Sequence, residues 1–274
     1  MTIARRGLLS GFLAGGAAAS LPARAEEAVG TPLVPVANAC RLTSQAVEGP
    51  FYLDPRLERA DIREDRDGVP LELALLVLDG SSCAPLPGTR IDVWHADAQG
   101  LYSGYAGQGD DHNLDMRQAH FMRGTQHADS QGWVRFKSIY PGWYTGRTPH
   151  IHFKGFVADN EVITGQIFFP DALSEFIYEH VHAYDRGQRR RDTANGTDNV
   201  MAAMTNPYTS FAVVKEEKDR YLATLVLAVD RMAQPAASGQ RPPPPPPGFG
   251  PPGGGRAATH MLPVQQLVPG LGQR

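Results

Sequence analysis

Tyr144-Thr-Gly-Arg147-Thr-Pro149-His150-Ile-His152-Phe153 places a phenol, a guanidinium and two imidazoles in one short stretch. Arg147-Thr-Pro149 marks a turn into a strand, because the residue before a proline is pushed toward extended backbone. Beyond it, His150 and His152 alternate with Ile151 and Phe153. With the period-two geometry of a strand, both imidazoles face one side, roughly 6–7 Å apart, and the apolar pair faces a core. Two neutral imidazoles converging from one strand make half of a metal site. The alternative is an exposed strand with a polar outer face.

Outward from this strand, the same pattern recurs. Leu71–Asp79 is an apolar run stopped by Asp79-Gly80, which predicts a buried strand. Arg90–His95 follows, with Ile91, Val93 and His95 on one face and Asp92 and Trp94 on the other. Gly132–Ile139, Val162–Phe169 and a closing hairpin from Phe211–Val214 and Tyr221–Val229 complete the set. Residues 96–127 are glycine-rich and aperiodic, and predict a long loop over the site. An amphipathic helix is expected over Leu173–Tyr184, with Phe176, Ile177 and Val181 as its apolar stripe. Short strands separated by Gly/Pro turns predict an all-β fold, a β-sandwich core with long loops and one short helix.

The ends of the chain differ from this middle. Residues 1–25 carry Arg5-Arg6, an apolar run from Leu8 to Leu21 and a final Ala23-Arg24-Ala25, the signature of a cleaved export signal. The paired arginines match the twin-arginine route, so a periplasmic or secreted location is expected. Removing that segment leaves 23 basic against 29 acidic residues, a formal charge of −6. That argues against nucleic acid or an anionic membrane as partner, and, with no other segment able to cross a bilayer, membrane insertion after signal removal is not expected. Residues 26–47 read as an N-terminal arm, 48–232 as the folded domain, and 233–274 as a disordered Pro/Gly-rich tail containing the run Pro242–Pro247. In an exported protein, Cys40 and Cys83 are most simply a disulfide joining arm to core.

The histidine pair needs further ligands. Asp159-Asn160-Glu161 reads as a turn, so a two-histidine, one-carboxylate ferrous site does not fit. Gly155-Phe156 stand where a cupin would carry its glutamate. Tyr144, six residues before His150, and Tyr102, after Asp97-Ala-Gln-Gly100-Leu, fit better. A trivalent cation pulls a phenol pKa far below about 10, and two phenolates with two imidazoles favour ferric over ferrous iron. Zinc, with its preference for nitrogen and sulfur, has little use for two phenolates. His95 is placed to order the loop that follows it. His112, His120, His127, His180 and His182 are not assigned to the site.

Glu48-Gly-Pro-Phe-Tyr52, Cys83-Ala-Pro-Leu-Pro-Gly88, Ile91–Ser103, Pro141-Gly-Trp-Tyr144 and Arg147–His152 together resemble the intradiol ring-cleavage dioxygenases, over about residues 40–230. They are most similar to the exported, single-domain branch related to the protocatechuate 3,4-dioxygenase β chain. The resemblance implies non-haem mononuclear Fe(III) held by Tyr102 and His152 as equatorial ligands and Tyr144 and His150 as axial ones. It also implies that Tyr144 doubles as a base, that Arg147 and Gln166 act in catalysis, and that Gly49, Pro50 and Tyr52 wall the substrate pocket. The implied partners are a small aromatic diol and O2, with homo-oligomeric assembly left open. The implied reaction cleaves a catechol ring between its hydroxyl-bearing carbons to a cis,cis-muconate-type product. A contrasting expectation, a catalytically silent β-sandwich that binds phenolics or a protein, predicts the loss of at least one of the four ligands. The segment from Tyr144 to His150 is shorter than in the cytoplasmic members, which implies a more open pocket.

Overall fold

The computed structural model describes residues 40–54 and 56–233. The regions expected as export signal (1–25), most of the arm (26–39) and nearly all of the tail (234–274) lie outside the described residues. Ten elements follow in chain order: β1 Pro70–Asp79, β2 Arg90–Trp94, β3 Arg123–His127, β4 Trp133–Ile139, β5 His150–Val157, β6 Asn160–Phe168, α1 Asp171–His180, α2 Asn199–Ala203, β7 Val213–Glu216 and β8 Tyr221–Val229. The strands form two four-stranded sheets, ordered β4-β1-β8-β7 and β3-β2-β5-β6. All pairings are antiparallel except β1 with β8.

Alternation explains how the sheets meet. Leu73, Leu75 and Val77 of β1 and Leu225 and Leu227 of β8 share one apolar core with Ile91 and Val93 of β2, Ile151 and Phe153 of β5 and Ile163 and Ile167 of β6. The opposite face of the second sheet carries Asp92, Trp94, His150, His152, Lys154 and Gln166, and these too are buried. Their cover includes the segment from Leu42 to Tyr52. Thr43 N–H donates to the Ala228 carbonyl and Ala46 N–H to the Thr164 carbonyl, both at 2.9 Å. A disulfide between Cys40 and Cys83 ties the start of this cover to the turn after β1.

Three expectations are corrected. The loop over 96–127 ends in a strand, β3, paired along its length with β2. Arg123-Gly-Thr-Gln-His carries no apolar alternation, because its buried side chains are held by polar contacts. Arg123 donates to the Phe51 and Ser103 carbonyls, each at 2.7 Å, and Thr125 donates to Asp92, also at 2.7 Å. The helix after β6 stops at His180, where Val181 is extended, and a separate 3-10 turn covers His182–Tyr184. Its buried positions are Asp171, Ser174 and Ile177, whereas Phe176 is 55% exposed and stacks on His180. A second short helix, α2, is also present, capped by the Asp198 carboxylate accepting the Met201 N–H. At five residues it is too brief to show a helical period. Among the described residues, no helix is long and apolar enough to cross a membrane.

Candidate active site

Strand β5 delivers His150 and His152 to one face, and their Nε2 atoms are 3.0 Å apart. Nδ1 of His150 lies 2.6 Å from the Thr148 carbonyl and donates to it, which leaves the Nε2 lone pair directed at the site. Burial pushes both imidazoles well below their usual pKa, and the Arg147 charge adds to the effect, so both are neutral. Trp94, paired with His152 on the neighbouring strand, stacks on that ring at 4.8 Å and 7°.

The two phenols arrive on loops. Asp97 accepts N–H bonds from Gln99 (3.0 Å) and Leu101 (2.9 Å), closing the turn that leads to Tyr102. Gly100 sits in that turn at φ +79°, and a Cβ there would lie 2.4 Å from the Trp143 carbonyl oxygen. Only glycine allows the Tyr102 turn to pack so closely against the segment that presents Tyr144. The Tyr144 hydroxyl is then 3.2 Å from Nε2 of His150. The fully buried Tyr102 ring stacks on Phe51 (4.4 Å) and meets Tyr144 (5.6 Å) and His152 (6.1 Å) edge-on.

The Tyr102 hydroxyl is buried and makes no hydrogen bond of standard geometry, although the Tyr144 hydroxyl lies close enough to interact with it. A buried polar group left incompletely met costs up to about 1–3 kcal/mol, a cost that a bound cation would offset. Burial raises both phenol pKa values, with Arg147 partly offsetting the effect at Tyr144. A nearby multivalent cation reverses that direction and draws both phenols toward phenolate. Two hard oxygens and two neutral imidazole nitrogens fit ferric iron. Among the described residues, no group of three or more His, Cys, Asp or Glu could hold a metal. A metal held beside the two imidazoles would draw its further protein ligands from the phenols. Glu161, the nearby carboxylate, is 2.8 Å from Lys154 Nζ and is occupied there.

Arg147 and Gln166 complete the cluster. Arg147 Nη2 donates to Gln166 Oε1 (2.5 Å), its Nε–H donates to Asp198 (2.9 Å), and Nη1 lies 3.4 Å from His150 Nε2. Gln166, directly opposite His152 in the sheet, donates in turn to the Val47 carbonyl at 3.0 Å.

The Gly49–Tyr52 segment divides. Gly49, at φ +76°, lies over His152, and a Cβ there would stand 3.2 Å from Cε1 of the imidazole. Pro50 is exposed. The Tyr52 hydroxyl donates to Asp92 (3.0 Å), while its ring packs on Trp94 and beneath Lys154 Nζ. It is Phe51 that reaches a candidate ligand, a contact that sequence reasoning missed. Asp198 was missed too, because nothing in its local sequence points to an arginine 51 positions away. His95 lies in the interior, 2.7 Å from Ser138 Oγ and 2.8 Å from the Ala96 carbonyl. His112, His120 and His127 are exposed.

A dioxygenase family pattern matches residues 47–184. An intradiol ring-cleavage dioxygenase from Tetranychus urticae superposes with a TM-score of 0.65 at 30% identity, covering 71% of this chain and 97% of that one. A catechol 1,2-dioxygenase of a Pseudomonas species is 32% identical over 107 residues, 37% of this chain and 32% of the relative. A chlorocatechol 1,2-dioxygenase of Cupriavidus pinatubonensis is 27% identical over 151 residues, 46% of this chain and 54% of the relative. The chain belongs to the intradiol ring-cleavage dioxygenase family. Its matches span between about a third and a half of those two curated relatives.

Proposed function

We propose that the protein is an exported, non-haem Fe(III) intradiol dioxygenase that inserts both atoms of O2 into a catechol, giving a cis,cis-muconate-type diacid. The observation that carries this is the convergence of Tyr102, Tyr144, His150 and His152 in one place, with the Tyr102 hydroxyl out of reach of solvent. All four ligands implied by the sequence come together, which disfavours the silent binding module. The four side chains would hold the ion, and bound Fe(III) supplies the coupling between an electron-rich diolate and O2.

The chain's own residues perform the remaining tasks. Drawn to phenolate by a bound cation, Tyr144 would take a proton at Oη from a catechol hydroxyl and become a neutral phenol, so that the diol enters as an anion. Arg147, with Nη1 beside the ligands, stabilises negative charge that builds on the ring as it is attacked. Gln166 holds Arg147 through Oε1 and is itself anchored on the Val47 carbonyl, which fixes the guanidinium relative to the reacting ring. Phe51, Trp94 and Tyr102 belong to one apolar cluster that keeps water from the metal-binding face. The Cys40–Cys83 disulfide supports a periplasmic or secreted location, where such bonds persist.

Iron-replete protein should be red-brown from phenolate-to-iron charge transfer and should consume O2 with a panel of catechols, releasing ring-opened diacids. Colourless iron-loaded protein with no O2 uptake on any member of the panel refutes the proposal.

A further inference from the structure

Residues 192–198 lie beyond the matched family region, yet they support the turn from Tyr144 to His150. Asp192 accepts the Gly146 N–H at 3.0 Å. Asn195 accepts the Thr148 hydroxyl at 2.8 Å and is itself held by Asp171 and the Phe169 carbonyl. Asp198 does two separate things. Its Oδ1 accepts the Met201 N–H and caps α2, whereas its Oδ2 accepts both Arg147 Nε–H and Thr148 N–H, each at 2.9 Å. The Asp198 side chain is wholly inaccessible to solvent, and Arg147 is buried beside it.

The chemistry of the guanidinium makes this arrangement specific. Arginine presents its donors in a planar fork. Here one edge is bound by Asp198 and another by Gln166, so the plane is fixed and Nη1 is left toward the candidate ligands. The carboxylate also compensates a charge that would otherwise be buried unpaired, which is strongly unfavourable. Capping α2 needs no charge, since a serine hydroxyl serves as well.

We propose that Asp198 is a positioning residue for ring cleavage, orienting and neutralising Arg147 so that Nη1 faces the charge that develops on the substrate. The role rests on the dioxygenase function proposed above. Asp198→Ser keeps an oxygen for the Met201 N–H but is too short to hold Arg147. In the iron-loaded variant, kcat should fall by about tenfold or more while KM for catechol moves by less than about twofold, because the contact matters in the transition state. Iron content and visible colour should be retained. In an Arg147→Gln background, adding Asp198→Ser should cost nothing further, the signature of residues acting as one unit.

A readout independent of turnover is the Arg147 Nε–H proton of the metal-free, 15N-labelled protein. It should be protected from exchange in the wild type and exposed in Asp198→Ser. Wild-type protein inactive on every catechol refutes the proposed function, while the Nε–H measurement still decides whether Asp198 holds Arg147. An unchanged kcat, loss of iron together with turnover, an additive loss in the double variant, or unchanged Nε–H protection overturns the positioning role. Asp198→Asn, read by the same measurements, stands in if the serine variant does not fold.

Discussion

Replacing Tyr102 by phenylalanine should push stability and metal binding in opposite directions. The phenol ring is packed on Phe51 and stays so in the variant, since only the hydroxyl is removed. That hydroxyl is buried with no hydrogen bond of standard geometry, the Tyr144 hydroxyl standing near it, and a group met so poorly costs about 1–3 kcal/mol. Metal-free Tyr102→Phe should therefore be more stable than the metal-free wild type. For a domain of this size, each kcal/mol shifts Tm by about 2–4 °C. The gain should lie between about 2 and 12 °C. With ferric iron present the order reverses, because a ligand that binds only the folded state raises Tm and the variant has lost an anionic donor. Calorimetry of both proteins, with and without iron, reads the two effects side by side, and iron analysis and visible absorbance follow the metal. A metal-free variant no more stable than the wild type, or a variant that keeps iron and colour, refutes the assignment of Tyr102 to the metal.

Two further outcomes follow from the same geometry. Gly49→Ala places a methyl 3.2 Å from Cε1 of His152 at a backbone φ of +76°, costing about 1–2 kcal/mol in backbone strain. By displacing a ligand it should weaken iron binding by about tenfold or more. Iron titration that gives the wild-type affinity contradicts that placement. His95 is pushed down to about 4 by burial, so the folded state resists a proton that the unfolded chain accepts below about 6.5. Its contribution is complete above pH 6.5 and disappears as pH falls toward 4, about 3 kcal/mol over that window. Urea midpoints of wild type and His95→Gln between pH 7 and 4.5 should show a shallower acid loss in the variant, and equal slopes exclude the effect.

Local pattern carried far in this chain. The alternation of His150 and His152 with Ile151 and Phe153 depends only on the two-residue period of a strand, and the structure divides those side chains between a buried polar face and the core. Apolar runs such as Leu71–Asp79 and Tyr221–Val229 are strands for the same reason. Where burial is achieved through polar contacts, the pattern is silent. β3 is buried by hydrogen bonds and shows no alternation. The apolar stripe expected through Phe176 gives way to buried Asp171 and Ser174, each tied by its own polar partner.

Strand period and motif spacing predict a β-sandwich, their resemblance to the intradiol family names its type, and together they pick out the phenols, imidazoles and guanidinium that could meet. How these groups are held follows from the packing of distant segments. That packing set Gly49 over His152, turned the Tyr52 hydroxyl toward Asp92, put Phe51 against Tyr102, and brought Asp198 to Arg147. Side-chain direction within a strand follows from the backbone and is written locally. Contacts between loops depend on where distant turns come to rest, and no local period records them.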